Sequence, residues 1–263
     1  MIDSHCHLEQ SDYSKDLDKI ILKCKKELKA IITSCAHPND FEKTLEIVNK
    51  NKGFVFCTVG IHPEYIKEIT DKQIDVFLDL IRKNKDGIVG IGEIGLDYHW
   101  IKESDQIERQ KQMFIKLLRL AKELDKPVVI HSREALPETL DILEQEEMKD
   151  VLLHMWGGHT LMDKVNELGY NVSMNSIIVS SKSYGKVVKR TPLEKLMLET
   201  DSPWLAVKED GNSYKLDPDS RNDSLTIKIT AQKIAELKDI DFQKIWKQCA
   251  LNSNKFFKLH LNI

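Results

Sequence analysis

The feature that most constrains the fold is a regular alternation along the chain. Eight short runs of apolar and β-branched residues are each followed by a longer segment with polar and apolar residues in helical spacing. Such runs are typical of buried parallel strands, and the segments between them are typical of amphipathic helices. The runs cover residues 2–7, 30–36, 54–62, 88–97, 127–132, 151–156, 170–176 and 196–203.

Eight such units in 263 residues predict an α/β fold, a (β/α)8 TIM barrel. An open doubly wound sheet is the alternative, but no glycine-rich G-x-G-x-x-G turn follows the first run. Gly90, Gly92 and Gly95 lie inside the fourth run, where we expect them to relieve crowding. We therefore expect one domain over residues 1–263, with a single long irregular segment at 206–223.

Charge and cysteine content restrict the class of protein. The 39 basic and 42 acidic side chains give a net charge of −3, unlike a protein that holds DNA through a broad basic surface. A nucleic-acid enzyme that grips one strand end through a metal ion is still compatible with this charge. Five cysteines without a C-x-x-C pair favour reduced thiols in a cytoplasmic protein. Neither a transmembrane run of about 20 apolar residues nor a signal-peptide pattern is found in the sequence.

Histidine and carboxylate side chains stand at the ends of five of the eight runs. Because barrel enzymes place their chemistry at the carboxyl ends of the strands, we expect these side chains to converge. The first run offers two histidines at a spacing of two, which puts both on one face and leaves Cys6 for packing on the other. The candidate metal ligands are His5, His7, Glu93, His131, His154 and Asp201.

Four imidazoles and two carboxylates around one barrel mouth are costly to bury without a cation. These ligands suit zinc, manganese, nickel or cobalt better than calcium, and six of them suit two metals that share a carboxylate. Each residue alone has a simpler explanation, such as a packing histidine, an ion pair of Glu93, or a turn formed by Asp201 and Pro203. The coincidence across five runs favours the metal site.

Five sequence blocks resemble the TatD family of metal-dependent hydrolases, which are amidohydrolase-like barrels. The blocks occur in the family's order between Ile2 and Leu205 and read IDSHCHL, GIHPE, GEIGLDYHW, PVVIHSREA and LETDSPWL. The resemblance implies two divalent ions (Mg, Mn, Zn, Ni or Co), one held by His5, His7, Glu93 and Asp201 and the other by Glu93, His131 and His154. It also implies a deoxyribonuclease that acts 3′–5′ on single strands, with nucleic acid as its partner and no membrane.

Two blocks depart from the family pattern. The sixth-strand block commonly reads like HCFSG and is HMWGG here, at residues 154–158. The late R-N-E-P block is present only as residues 221–224, without its proline, so its role as a loop anchor is in question. We expect Asp223 or Ser224 to cap the helix that follows.

The expected mechanism assigns different roles to the two carboxylates. Glu93 would bridge the metals, and Asp201 would orient the attacking water and accept its proton. Asp97 would orient a ligand histidine through its second ring nitrogen. Activation of a water by the metal ions and transfer of its proton to Asp201 are both steps that hydrolysis of a phosphodiester needs.

Contacts to the substrate are expected from the same end of the barrel. His62 and Arg133 are candidates for binding phosphate, although Arg133 could equally form a salt bridge with Glu134 or Asp97. Three tryptophans on loops there could stack a nucleobase or close the mouth, and they are Trp100, Trp156 and Trp204.

Three classes of function are compatible with the sequence. The favoured one is a nuclease that hydrolyses phosphodiesters at strand ends. A metal-dependent hydrolase of esters, lactones or amides, including an aminoacyl-tRNA ester, would use the same activated water. The third is an inactive barrel serving as a binding scaffold, against which the intact ligand set argues.

Overall fold

A computed structural model describes residues 1–211 and 213–263. Eight parallel strands pair in chain order, and Ser4 Oγ on the first strand donates a hydrogen bond to Leu198 O on the last at 2.8 Å, which brings the ends of the sheet together. The predicted (β/α)8 barrel is therefore confirmed. The strands are β1 (Ile2–Cys6), β2 (Ala30–Cys35), β3 (Val55–Val59), β4 (Gly90–Asp97), β5 (Val128–Arg133), β6 (Val151–Leu153), β7 (Asn171–Met174) and β8 (Leu196–Leu198).

The helices occupy the amphipathic segments between the strands. They pack with a core of isoleucine, leucine, valine and phenylalanine side chains that is continuous around the barrel. Their bounds are α1 (Leu17–Cys24), α2 (Phe41–Lys50), α3 (Asp71–Lys83), α4 (Ser104–Glu123), α5 (Leu136–Gln145), α6 (Met162–Glu167), α7 (Lys182–Arg190), α8 (Ile227–Lys238) and α9 (Phe242–Phe256). Among the described residues, none of these helices is long and apolar enough to cross a membrane.

The two ends of the barrel differ in what covers them. Phe256 and Phe257, at the end of α9, pack in one buried cluster with Ile2, Ala30 and Met197, which lie at or near the starts of their strands. The amino-terminal end of the barrel is therefore filled with apolar side chains. The polar side chains described below lie at the carboxyl end.

One expectation for the long connection after β8 is wrong. The segment 206–223 was expected to be irregular, but it contains two antiparallel strands, β9 (Val207–Asp210) and β10 (Ser213–Leu216). Both strands are only four residues long; β10 alternates between exposed and half-buried positions, whereas β9 is exposed beyond its first residue. Cross-strand pairing, which single-residue patterns do not reveal, makes them a hairpin.

The glycines of β4 relieve crowding, as expected. A Cβ atom on Gly92 would lie 2.6 Å from Val129 Cβ, and one on Gly95 would lie 1.9 Å from His131 O. Gly95 also has a φ of +148°, in the region that favours glycine. These residues let β4 approach β5 closely, and Glu93 is carried on the backbone between them.

Candidate metal centre

The predicted ligands converge at the carboxyl end of the barrel. His5 lies in β1, Glu93 in β4 and His131 in β5, whereas the other three follow the ends of their strands. His7 and His154 each come directly after a strand, and Asp201 lies three residues beyond β8. All but His5 line a cleft of about 630 Å³.

Four of these side chains form a group that we call the first cage. It consists of His5 Nε2, His7 Nε2, Glu93 Oε2 and Asp201 Oδ1. The two ring nitrogens are 3.1 Å apart, and they lie 3.3 Å and 3.6 Å from Glu93 Oε2. Asp201 Oδ1 lies 3.7 Å from His5 Nε2 and 3.6 Å from His7 Nε2. Spacing of two along the chain does bring His5 and His7 to one point, while the Cys6 thiol is buried towards Ile32 O.

The other carboxylate oxygen of Glu93 faces a different group, which we call the second cage. Glu93 Oε1 lies 2.9 Å from His131 Nδ1 and 3.6 Å from His154 Nε2. The ligand atoms of these three residues all lie within 4.8 Å of one another. Glu93 therefore stands between the two cages, with one oxygen turned to each.

The distances suit a metal ion. Ligand atoms bound about 2.0–2.2 Å from a common ion in a tetrahedral arrangement are roughly 3.3–3.6 Å apart. The five measured separations in the first cage run from 3.1 Å to 3.7 Å. Two imidazole nitrogens this close would repel each other through their lone pairs unless a proton or a cation lay between them. The donor set of the first cage is therefore one that a divalent ion fits.

Three histidines are held from behind by buried carboxylates. His131 Nε2 lies 3.0 Å from Asp97 Oδ2, as expected for a residue that orients a ligand. The sequence reasoning missed the other two carboxylates. Glu9 Oε1 lies 3.2 Å from His7 Nδ1, and Glu199 Oε2 lies 3.0 Å from His154 Nδ1.

The missed carboxylates had a signal in the sequence. Glu9 continues the spacing of two from His7, and Glu199 precedes Asp201 by two in LETD. Glu199 is held in turn by Asn175 Nδ2, which donates to it at 3.1 Å, and by the Ser173 hydroxyl. Its position is therefore fixed before any ligand binds.

The electrostatics of the site call for positive charge. Five carboxylates meet here, and within the described residues none has a lysine or arginine nitrogen within 4.0 Å. Their ion-pair partners are histidines. The carboxylates are Glu9, Glu93, Asp97, Glu199 and Asp201. Divalent cations would balance this charge.

The protonation of these side chains reflects the same excess of negative charge. Burial alone would lower the pKa of His154, but Glu199 and Glu93 raise it to about 10. Burial opposes charge on His7 as well, yet its hydrogen bonds to Asp201 and Glu9 hold its pKa well above the usual range. Burial would raise the pKa of Glu93, and the surrounding histidines, His62 and His154 foremost, keep it well below the ordinary value.

His62 approaches the second cage from the loop after β3. Its Nε2 lies 3.4 Å from Glu93 Oε1, and its Nδ1 accepts a hydrogen bond from Glu64 N at 3.2 Å. Because Nδ1 is an acceptor, the neutral ring carries its proton on Nε2. His62 is thus arranged to donate to an anionic oxygen rather than to offer a lone pair to a metal.

Arg133 does not form either salt bridge considered from the sequence. Among the described residues it has no carboxylate partner within 4.0 Å, and its guanidinium lies 5.5 Å from the ring centroid of Trp100. Both side chains line the cleft. Of the other two tryptophans expected at this end of the barrel, Trp204 also lines the cleft, whereas Trp156 is buried and its ring packs beside Gly158. The expectation that Trp156 could take a nucleobase is wrong.

The loop that carries Asp201 is anchored on both sides. Asp201 has a φ of +54°, which aspartate tolerates better than most residues, and its N–H donates to His5 O at 3.0 Å. Asn222 Nδ2 donates to Thr200 O at 3.2 Å, and Asn222 N donates to Pro203 O at 2.8 Å. Asp223 accepts from Leu225 N at 2.9 Å as a cap. The RNDS block anchors the loop without its proline.

Comparison with known proteins places this chain in a family. A model of that family, described as TatD related DNase, matches residues 2–258. Deoxyribonuclease TATDN3 of Homo sapiens is 34% identical over 98% of this chain and 94% of its own length. The uncharacterized metal-dependent hydrolase MJ1582 of Methanocaldococcus jannaschii is 32% identical over 99% of this chain and 98% of its own.

Solved structures share the fold. YJJV, a TatD homolog from Escherichia coli, superposes with a TM-score of 0.85 over 98% of both chains at 22% identity. A TatD family hydrolase from Entamoeba histolytica gives the same TM-score at 24% identity over 97% of both chains. From its sequence match over nearly its whole length and its barrel of the same form, this chain belongs to the TatD-related DNase family.

Proposed function

We propose that this chain is a metal-dependent nuclease that hydrolyses phosphodiester bonds with two divalent ions, one in each cage. The observation that carries the proposal is the position of Glu93, whose two carboxylate oxygens face separate groups of imidazole nitrogens. A carboxylate placed in this way can bind two ions at about 3.5–4 Å from each other, the spacing found in two-metal sites. Membership of a family described as DNases and a relative named a deoxyribonuclease support nucleic acid as the substrate.

The residues that would hold the ions follow from the cages. His5, His7, Glu93 and Asp201 would hold one, and Glu93, His131 and His154 the other. Bound divalent ions would supply Lewis-acid polarisation of a phosphoryl oxygen and acidify water.

Asp201 is the candidate acceptor of a proton. Burial would raise its pKa, but the hydrogen bond from His7 and the neighbouring His154 lower it, so the carboxylate is ionised at neutral pH. Asp201 borders the open cleft, with its side chain 16% exposed, whereas Glu93 is 4% exposed. An attacking water can therefore reach Asp201 from the cleft, and we assign proton acceptance to it.

Two further residues suit the substrate phosphate. His62 presents its Nε2 proton towards the space beside Glu93 Oε1. Arg133 lines the same cleft, and its guanidinium can donate two hydrogen bonds to a phosphate. We propose that both bind phosphate oxygens, with Arg133 supplying the positive charge that the metal ligands lack.

A nuclease assay with end-labelled strands tests the function. A single-stranded deoxyoligonucleotide labelled at its 5′ end, incubated with the protein and Mg²⁺ or Mn²⁺, should yield a ladder shortened from the 3′ end, and EDTA should stop the reaction. The same assay with an RNA strand, and with a strand that ends in an aminoacyl ester, shows which of the three bonds is hydrolysed fastest. Hydrolysis of the acyl ester without cleavage of any strand would overturn the nuclease proposal in favour of an ester hydrolase.

Matched variants tie the activity to the site. Asp201→Asn preserves shape but removes the proton acceptor, so the turnover number should fall by at least about 100-fold. Lys244→Gln, at an exposed position on α9 outside the cleft, is the control. Full activity of the Asp201 variant would contradict the role assigned to this carboxylate.

A further inference from the structure

Two exposed tryptophans border the metal cleft. Trp100 is 57% exposed and Trp204 is 48% exposed, and both line the cleft that contains Glu93 and Asp201. Large apolar side chains with this exposure are few among the described residues, and the others, Leu22, Val76 and Leu251, lie on helices α1, α3 and α9. Two indoles exposed at one cleft therefore mark a place where a flat apolar partner can bind.

The two rings lie on opposite sides of the barrel mouth. Trp100 follows β4 and Trp204 follows β8, and in a ring of eight strands paired in order these two strands are diametrically opposite. Glu93, in β4, and Asp201, on the loop after β8, line the cleft that both indoles border. A chain molecule crossing the metal cages would therefore meet one indole on each side.

The surroundings of each ring differ. The Trp204 ring centroid lies 4.9 Å from that of His7, so this indole adjoins the first cage. The Trp100 ring lies farther out. The Arg133 guanidinium is 5.5 Å from its centroid, and the centroid of the His99 ring, which is nearly perpendicular to it, is at 4.8 Å. Trp204 is thus placed for a group next to the reacting phosphate. Trp100 is placed for a more distant group that has a phosphate near Arg133.

We propose that Trp204 and Trp100 are stacking platforms for two unpaired nucleobases of a single-stranded nucleic acid, one on each side of the scissile phosphate. The proposal rests on the nuclease function given above. Base–aromatic stacking tolerates any sequence because every base offers a π face, so the platforms select strand state rather than sequence. A base inside a duplex has both faces covered by its neighbours, so only an unpaired strand can use both indoles.

The alternative is that each indole has a packing role only. Trp204 would then shield His7 from solvent, and Trp100 would support the Arg133 side chain. An indole that stacks on a bound base changes the fluorescence of that base, whereas an indole that only packs against the protein does not. A fluorescent base therefore distinguishes the two roles.

The experiment places 2-aminopurine, whose fluorescence is quenched by stacking, at successive positions of a single strand. With wild-type protein and Ca²⁺ in place of the ions used for cleavage, we expect quenching at two separated positions. Trp204→Ala should abolish it at the position adjoining the cleavage site, and Trp100→Ala at the other. Each substitution should weaken binding by about 5- to 150-fold, the range for loss of one stacked base, and should reduce the preference for single strand over hairpin duplex.

Controls separate stacking from other effects. Trp204→Phe and Trp100→Phe keep an aromatic face and should restore most of the quenching, whereas Leu22→Ala, at a 62% exposed position on α1, should change nothing. Quenching that persists in both alanine variants, or an equal preference of the wild type for single strand and duplex, would overturn the proposal. A wild type that quenches at both positions but cleaves no strand would refute the nuclease function and leave the platforms standing.

Discussion

Replacing Glu199 by glutamine tests how the second cage is supported. Glu199 is fully buried and accepts hydrogen bonds from His154 Nδ1 at 3.0 Å, Asn175 Nδ2 at 3.1 Å and the Ser173 hydroxyl. All three neighbours are donors when His154 offers Nε2 to a metal. A glutamine amide places an N–H₂ group among them, so at least one of the three bonds is lost and the charge that favours the Nδ1 proton disappears.

The size of the effect follows from the role of such partners. Loss of a carboxylate behind a ligand histidine typically lowers metal affinity or activity by about 10- to 100-fold, or about 1.4–2.7 kcal/mol. We expect Glu199→Gln to lower the metal affinity of only the cage that contains His154. In a calorimetric titration of apoprotein with Mn²⁺ or Zn²⁺, one of two binding steps should shift by this factor.

Glu9→Gln is the matched comparison, because Glu9 supports His7 in the first cage at 3.2 Å. It should shift the other step. If Glu199→Gln binds both ions with wild-type affinity, or if both variants weaken the same step, then the assignment of these carboxylates to separate cages is wrong.

Three further predictions address the shared ligand, the barrel backbone and protonation. Glu93→Ala should abolish nuclease activity and reduce the amount of bound metal found by elemental analysis. Full activity of this variant would contradict the bridging role assigned to Glu93. Gly95→Ala should lower the free energy of unfolding by on the order of 3 kcal/mol in a denaturant titration, since its Cβ would lie 1.9 Å from His131 O; Gly87→Ala, with nothing within 4 Å, is the control. With the pKa of His154 raised to about 10 and that of His7 also raised, both rings hold protons at pH 7 in the apoprotein, so metal binding should release protons and weaken as pH falls. Calorimetry in buffers of different ionisation enthalpy measures that release, and none at pH 7 would contradict the protonated state.

The residue pattern was sufficient for the barrel because strands buried on both faces need continuous apolar runs. Seven of the eight strands lie within the expected runs, and β5 extends one residue beyond its run, to Arg133. Several strands end early, as does β8, which ends at Leu198 rather than near Asp201. The sequence just past a strand end still resembles that of a strand, but its backbone no longer pairs with a neighbouring strand. Strand ends are therefore the part that a linear pattern locates least well.

The hairpin of β9 and β10 lay beyond such reasoning for a related reason. Its strands lie at the surface, where neither face is deeply buried, so they lack the apolar signal that marked the barrel strands. The burial of Trp156 could not be predicted either, because its neighbours in HMWGG do not indicate whether the ring points to the core or to solvent.

By itself, the sequence determined the order of the strands and the candidate ligands at their carboxyl ends, because parallel strands and a period of two leave few alternatives. The family resemblance alone implied that the candidate ligands divide into two sets, and only the tertiary structure shows the direction of each Glu93 oxygen on which such a division depends. The tertiary structure also decided that Glu9 and Glu199 stand behind His7 and His154, and that His62 offers a proton. Hydrogen-bond direction, and the distance between residues far apart in the chain, are properties of packing. The spacing of two that draws attention to Glu9 and Glu199 does not show which histidine each carboxylate contacts.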